Sequence, residues 1–160
     1  MVHNVKLGKN MRSVSIVGIG ATPFFNGVQN ETYKGLTNGE LFGHAALDAM
    51  KDAGVEPRDV QYFFHGSANP HVLNNCITPN LQVADWFGMR GKGSLSHSEG
   101  CCTCYIALEE AVFAVASGAY DVVLTGCSEQ GTGMPDGNTP DHMRVPLTSE
   151  VLFPDLDSIF

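Results

Sequence analysis

From Thr37 to Gln130 the sequence switches repeatedly between short apolar runs rich in β-branched and aromatic residues and amphipathic stretches of about a dozen residues. That alternation constrains the fold more than any other feature. A strand, a helix and a second strand in succession return the chain parallel to itself, so an α/β fold with a mostly parallel sheet covered by helices is expected.

The first helix is read in "TNGELFGHAALDAMKDAG". Thr37 or Asn38 is placed to cap it, Leu41, Ala45, Leu47, Ala49 and Met50 give it apolar faces, and Gly54 stops it. Val60–Phe64 reads as a strand, with His65, Gly66 and Ser67 following at its end. "TPNLQVADWFGM" reads as a second helix, with Thr78 as cap, Pro79 in the first helical position and Gly88 after its end. "GKGSLSHS" is a short strand between glycines. Ala107, Leu108, Ala111, Val112 and Val115 then recur at helical spacing up to Gly118, and "YDVVLTGCSEQ" is expected to be a strand buried on both faces. Further upstream, "SVSIVGIGATPF" reads as a buried strand entering a tight turn. Its Gly18/Gly20 pair lacks the third glycine and the following helix of a dinucleotide loop.

The domain plan is therefore a flexible segment over 1–12, an α/β domain over 13–130 and a loop-rich segment over 131–160. The last segment holds four of the eight prolines and has no amphipathic period. Acidic residues outnumber basic ones, 17 to nine, and no basic cluster forms, which argues against a nucleic-acid phosphate footprint. No signal peptide and no apolar run of the ~18–20 residues needed to span a bilayer is seen. With five cysteines, an odd number, and no export signal, free thiols in a reducing, cytoplasmic compartment are expected.

Three of those cysteines fall in Cys101-Cys102-Thr103-Cys104, at the start of a helical pattern. Small buried packing is the plain explanation for one or two of them. Cys101 follows Glu99-Gly100 at or beside the helix N-cap. Free N–H groups and the positive end of the helix dipole favour a thiolate there, and a helix N-terminus can lower a thiol pKa from ~8.5 to ~3.5–7.5. Zinc is disfavoured because the three thiols crowd together and no second Cys-x-x-Cys or His pair lies nearby; Cys76, Cys127 and His97 would have to converge from afar. A dithiol redox pair, Cys101 with Cys104, has the right placement at a helix start but lacks the proline-bearing strand that usually accompanies it.

The stretch resembles the N-terminal half of thiolases, particularly the sterol-carrier-protein-linked and archaeal branch. In that family a helix opens Cys-Ala-Ser/Thr-Gly-x-x-Ala-Leu and is followed by Ser-Gly-x-x-Asp-x-x-Leu and Gly-x-x-Glu. Here the same order is Cys101-Cys102-Thr103-Cys104-Tyr105-Ile106-Ala107-Leu108, then Ser117-Gly118-Ala119-Tyr120-Asp121-Val122-Val123-Leu124, then Gly126-Cys127-Ser128-Glu129. "SIVGIGATPF" and "HAALDAMKDAGVEPRDVQ" are similar to the family's first βα unit, so the likeness runs from about Val14 to Glu129.

The resemblance implies one thiolase half, lacking the C-terminal half, and a thiolase-type acyl-CoA acyltransferase. Cys101 aligns with the acyl-accepting cysteine, because Ala107 and Leu108 follow it by six and seven residues. The substrate would be a coenzyme A thioester, with no bound cofactor and no metal. The reaction would be Claisen condensation or thiolysis of a 3-oxoacyl-CoA, with retro-aldol and ketosynthase chemistry left open. The family's activating histidine lies in its C-terminal half, so a homodimer or a hetero-oligomer with a chain carrying that half is implied, and "GSLSHS" is a candidate interface edge. Cys104 and Tyr105 depart from the family, standing where it has glycine and a small residue. His65, Ser67, Asn69 and Tyr105 are candidate substrate-binding residues. His71 and His97 are further polar candidates beside His65, and Glu99 is placed either to cap the helix through its carboxylate or to face a subunit interface. Two rival functions remain open: a non-catalytic thiolase-like scaffold subunit, and a Cys-x-x-Cys redox protein.

Overall fold

The computed structural model describes residues 4–5, 8, 10–23, 36–68 and 78–129, with Asn4, Val5 and Cys101 described by their backbone alone. Helix α1 (Asn38–Ala53) starts and stops where its local chemistry dictates. The Thr37 hydroxyl accepts the Glu40 N–H at 3.2 Å, and the Glu40 carboxylate accepts the Thr37 N–H at 2.7 Å, forming a capping box. At the other end Gly54 turns left-handed, at φ +69°, and returns its N–H to the last turn.

Strand β3 (Tyr62–Gly66) lies two residues further along than expected, taking in His65 and Gly66. Lys92 accounts for the late start: its ammonium donates to the Arg58 and Val60 carbonyls just ahead of the ladder. Helix α2 (Pro79–Trp86) has proline in its first turn, but Thr78 makes no side-chain capping bond. Strand β4 (Gly93–His97), helix α3 (Thr103–Ala116) and strand β5 (Val123–Cys127) complete the alternation.

The sheet has three parallel strands in the order β4-β3-β5. Alternation along β3 divides the core. Phe63 points towards α1 and α2, joining Phe42, Ala46, Met50, Val83 and Phe87. Phe64 packs with Ala107 and Ala111 of α3. Burial of each large apolar side chain contributes ~1.5–3 kcal/mol, so the central strand is held from both sides.

Two expectations are corrected. Among the described residues of Ser13–Phe24, only Val14–Ser15 form a strand, β2, which pairs antiparallel with β1 (Asn4–Val5) instead of joining the parallel sheet. Ile16, Val17 and Ile19 are exposed rather than buried. The glycines let this segment lie directly on α1: a Cβ on Gly18 would stand 2.3 Å from the Ala49 carbonyl oxygen, and one on Gly20 2.1 Å from that of Ala45. β5 is not buried on both faces either. Leu124 alone is fully buried, because an apolar groove of about 580 Å³ separates β5 from Ser13–Gly20. Among the described residues no strand pairs with the other edge of β5, and no helix is long and apolar enough to cross a membrane. Residues 131–160 and Asn69 lie outside the described residues.

Arg12 fastens the segment before β2 to the end of α3. Its guanidinium donates to Asp121 at 2.6 Å and to the Tyr120 and Val115 carbonyls at 2.7 and 3.2 Å. A cation at a helix C-terminus also meets the negative end of the dipole.

Candidate functional site

The parallel register delivers three strand ends to one edge, with Gly66 opposite both His97 and Cys127. The residues that follow are bonded to one another. Ser67 N–H donates to the His97 carbonyl at 3.1 Å, and Ser128 N–H to the Gly66 carbonyl at 3.0 Å. The Ser98 hydroxyl donates to the Ala68 carbonyl at 3.0 Å. The Glu129 carboxylate accepts Ala68 N–H at 2.6 Å and the Ser67 hydroxyl at 3.2 Å. Ser67 in turn receives the Asn38 amide at 3.4 Å, which ties α1 into the same network. Ser67 and Asn38 are both buried, so these bonds offset the cost of removing them from water.

The chain leaves β4 and enters α3 over this edge. Cys101 is the middle residue of a 3-10 turn, Gly100–Cys102, and α3 itself starts only at Thr103. That refines the N-cap expectation for Cys101. Thr103 is the cause: its hydroxyl accepts Glu99 N–H and donates to the Gly100 carbonyl, both at 2.7 Å, winding the entry tightly. Gly100, at φ +56°, makes the left-handed step that this entry needs. Glu99 does not cap the helix as expected: its side chain makes no capping bond, and its backbone N–H is the group held by the Thr103 hydroxyl. Cys102, the residue just ahead of α3, makes no side-chain capping bond either, and the positive end of the helix dipole lies at this entry.

Two of the candidate binding residues stand behind the edge rather than on it. His65 is 0% exposed and Ser67 1%. Strand alternation turns the His65 ring towards α1, where it meets Phe42 edge-on at 4.8 Å, and its Nε2 lies 2.9 Å from the Ser128 hydroxyl. Burial lowers its pKa from 6.5 to about 4, so the ring is neutral at pH 7. Tyr105 stands in the first turn of α3 and is 69% exposed. His97 stacks on Phe64, with ring centroids 6.3 Å apart.

Cys102 and Cys104 are exposed free thiols, and Cys127 is a half-buried one. Burial first, then hydrogen bonding to Cys104 and the nearby Glu129 charge, push the Cys127 thiol well above its usual range, so it is protonated at neutral pH. Among the described residues no three potential metal ligands come together. Sequence reasoning passed over Thr103, Ser128 and the structural work of Glu129. The Gly-x-x-Glu run after an apolar strand was the available signal for Glu129.

No family model matches the sequence. Over 129 residues, 81% of this chain, it is 28% identical to an acetyl-CoA acetyltransferase of Methanocaldococcus jannaschii, covering 31% of that protein. Over 126 residues, 79% of this chain, it is 26% identical to an acetyl-CoA acetyltransferase of Methanothermobacter thermautotrophicus, again covering 31%. The chain thus spans about a third of the length of these curated relatives. Among solved structures, the 3-oxoacyl-[acyl-carrier-protein] synthase III of Aquifex aeolicus superposes with a TM-score of 0.55 at 21% identity, over 60% of this chain and 30% of that one. The priming β-ketosynthase of the R1128 polyketide pathway gives 0.50 at 24% identity, over 58% of this chain and 27% of that one. Both likenesses fall on the α/β fold that the sequence led us to expect.

Proposed function

We propose that this chain, whose fold is thiolase-like, is the nucleophile-bearing part of a thiolase-type acyltransferase, with Cys101 as the acyl acceptor. The observation that supports this most is the position of Cys101. Its backbone sits in the turn between β4 and α3, at the carboxyl edge of a parallel sheet, where α/β folds present their reactive groups.

The Cys101 thiolate attacks the carbonyl carbon of an acyl-CoA. The carbon–sulfur bond to CoA breaks, and the CoA thiolate leaves with the electron pair. One thioester replaces another, so the acyl-enzyme forms at little thermodynamic cost. The start of α3 favours the attacking thiolate. Glu129, Ser67 and Ala68 act at one remove, fixing the loops beneath the turn. The oxyanion of the tetrahedral intermediate needs hydrogen-bond donors, each worth ~3–4 kcal/mol.

Deacylation onto a second substrate needs an acid–base pair, which the thiolase resemblance assigns to the family's C-terminal half. Turnover is therefore proposed to require that half, from further sequence or from a second chain. The curated relatives named acetyl-CoA acetyltransferase favour a short acyl group.

The test is site-resolved mass spectrometry after incubation of the reduced protein with acetyl-CoA. The expected result is an acetyl adduct on Cys101 that is absent in Cys101→Ser. Adducts on Cys102 or Cys104 instead, or none on any thiol, would overturn the assignment.

A further inference from the structure

We propose that Cys104 and Cys127 form a reversible disulfide that clamps the first turn of α3 to the end of β5. The thiolase resemblance has glycine at position 104, so nothing in the expected acyl chemistry calls for this pair. Nor is it the Cys101–Cys104 pair that the Cys-x-x-Cys spacing suggests.

The geometry begins at Gly66. A Cβ placed there would fall 2.4 Å from Cys127 Sγ and 2.5 Å from Thr103 Cγ2. The Cys127 sulfur therefore lies over a bare glycine, beside the first residue of α3. Cys104 is the next residue, and its thiol lies close enough to that of Cys127 to push the Cys127 thiol up. Cys127 also packs into the cluster of Phe64, Ala107 and Ala111, and Ala107 stands about one helical turn beyond Cys104. Both thiols are free. Cys104 is exposed and Cys127 half-buried, so an oxidant reaches one sulfur while the other waits beneath it.

With glutathione disulfide as oxidant, the Cys104 thiolate attacks one sulfur and breaks the S–S bond. One glutathione thiolate leaves and takes up a proton. Cys127 then loses its proton to solvent and attacks the Cys104 sulfur, displacing the second glutathione. In total, two protein thiols lose two electrons and two protons, and one glutathione disulfide becomes two thiols. Cys127 is protonated at neutral pH, so the second step is the slower one. The bond would fasten the turn that carries Cys101 onto the sheet edge. Formation of the bond does not depend on the acyl-transfer reading.

The test uses the full chain, reduced and then incubated with glutathione disulfide, with free thiols trapped over time. A glutamate-specific protease separates Cys104 from Cys127 by cutting at Glu109 and Glu110, and fragment-ion sequencing assigns the sulfurs. The expected result is glutathione on Cys104 at early times, then a Cys104–Cys127 crosslink that dithiothreitol reverses. In Cys127→Ser the glutathione adduct should persist on Cys104. In the Cys101→Ser/Cys102→Ser variant the crosslink should still form. A Cys101–Cys104 crosslink, a lasting Cys104 adduct in the unaltered chain, or no oxidation of Cys104 and Cys127 would each overturn the proposal, whatever the outcome with acetyl-CoA.

Discussion

His65 Nε2 lies 2.9 Å from Ser128 Oγ across the β3–β5 pair, in a position with no solvent exposure. The folded chain holds this ring neutral, with a pKa near 4, against 6.5 for an ordinary imidazole. Below pH 6.5 the unfolded chain takes up a proton that the folded chain refuses. Stability is therefore at its full value above pH 6.5 and falls as pH drops through the window down to about 4. The whole window is worth ~3 kcal/mol. Urea titrations between pH 7.5 and 4.5 should show the midpoint falling with pH, and His65→Gln should flatten the profile. An unaltered chain already flat across that range would contradict a buried, neutral His65.

Gly66→Ala places a methyl group 2.4 Å from Cys127 Sγ and 2.5 Å from Thr103 Cγ2. Overpacking between a sheet and the helix above it costs ~1–3 kcal/mol. Thermal unfolding should show that loss. In a Cys127→Ala background the loss from Gly66→Ala should shrink, because one of the two opposing groups has gone. Strict additivity of the two substitutions would show that the sulfur does not fill the space above Gly66.

Glu129→Gln weakens two bonds at once, to Ala68 N–H and to the Ser67 hydroxyl. Hydrogen bonds to a charged acceptor are worth ~1.5–3 kcal/mol, and the neutral amide still accepts. A loss of ~1–2 kcal/mol in denaturant titration is the expected result. Ser67→Ala should couple to it in a double-mutant cycle, since the two side chains share a bond. Independence of the two would place the Glu129 contribution elsewhere.

Legibility in the sequence followed the range of the interactions involved. Helix α1 was readable because Thr37, Glu40 and Gly54 act within one turn of its ends. The alternation that defines a parallel sheet was readable for a similar reason. Long-range neighbours were not. Val14–Ile19 is β-branched and strand-like in composition, yet only Val14–Ser15 pairs, and the pairing is with Asn4–Val5. Composition cannot report which edge a strand will find. Within the site, the turn holding Cys101 was legible from its place before a helical pattern. The supports beneath it were not, because His65 and Ser128 are 63 residues apart and Ala68 and Glu129 are 61 apart. The late start of β3 has the same origin, in a lysine 32 residues beyond Val60.

Two threonines in like positions separate a capping sequence from a capping bond. Thr37 and Thr78 each stand just ahead of a helix, and either would be read as its cap. Thr37 is in extended backbone, at φ −72° and ψ 163°, which aims its hydroxyl at the Glu40 N–H. Thr78 is at φ −130° and ψ 71° and makes no side-chain capping bond; the Leu81 N–H goes to the Thr78 carbonyl at 3.1 Å instead. Thr37→Ala should therefore cost ~1 kcal/mol. Thr78→Ala should change stability by less than ~0.5 kcal/mol. Paired chemical-denaturation curves of the two variants, run in the same buffer, make the comparison. Equal losses would mean that residue type ahead of a helix, rather than the bond it makes, sets the contribution here. A larger loss at Thr78 would show that α2 depends on a contact of that side chain other than a cap.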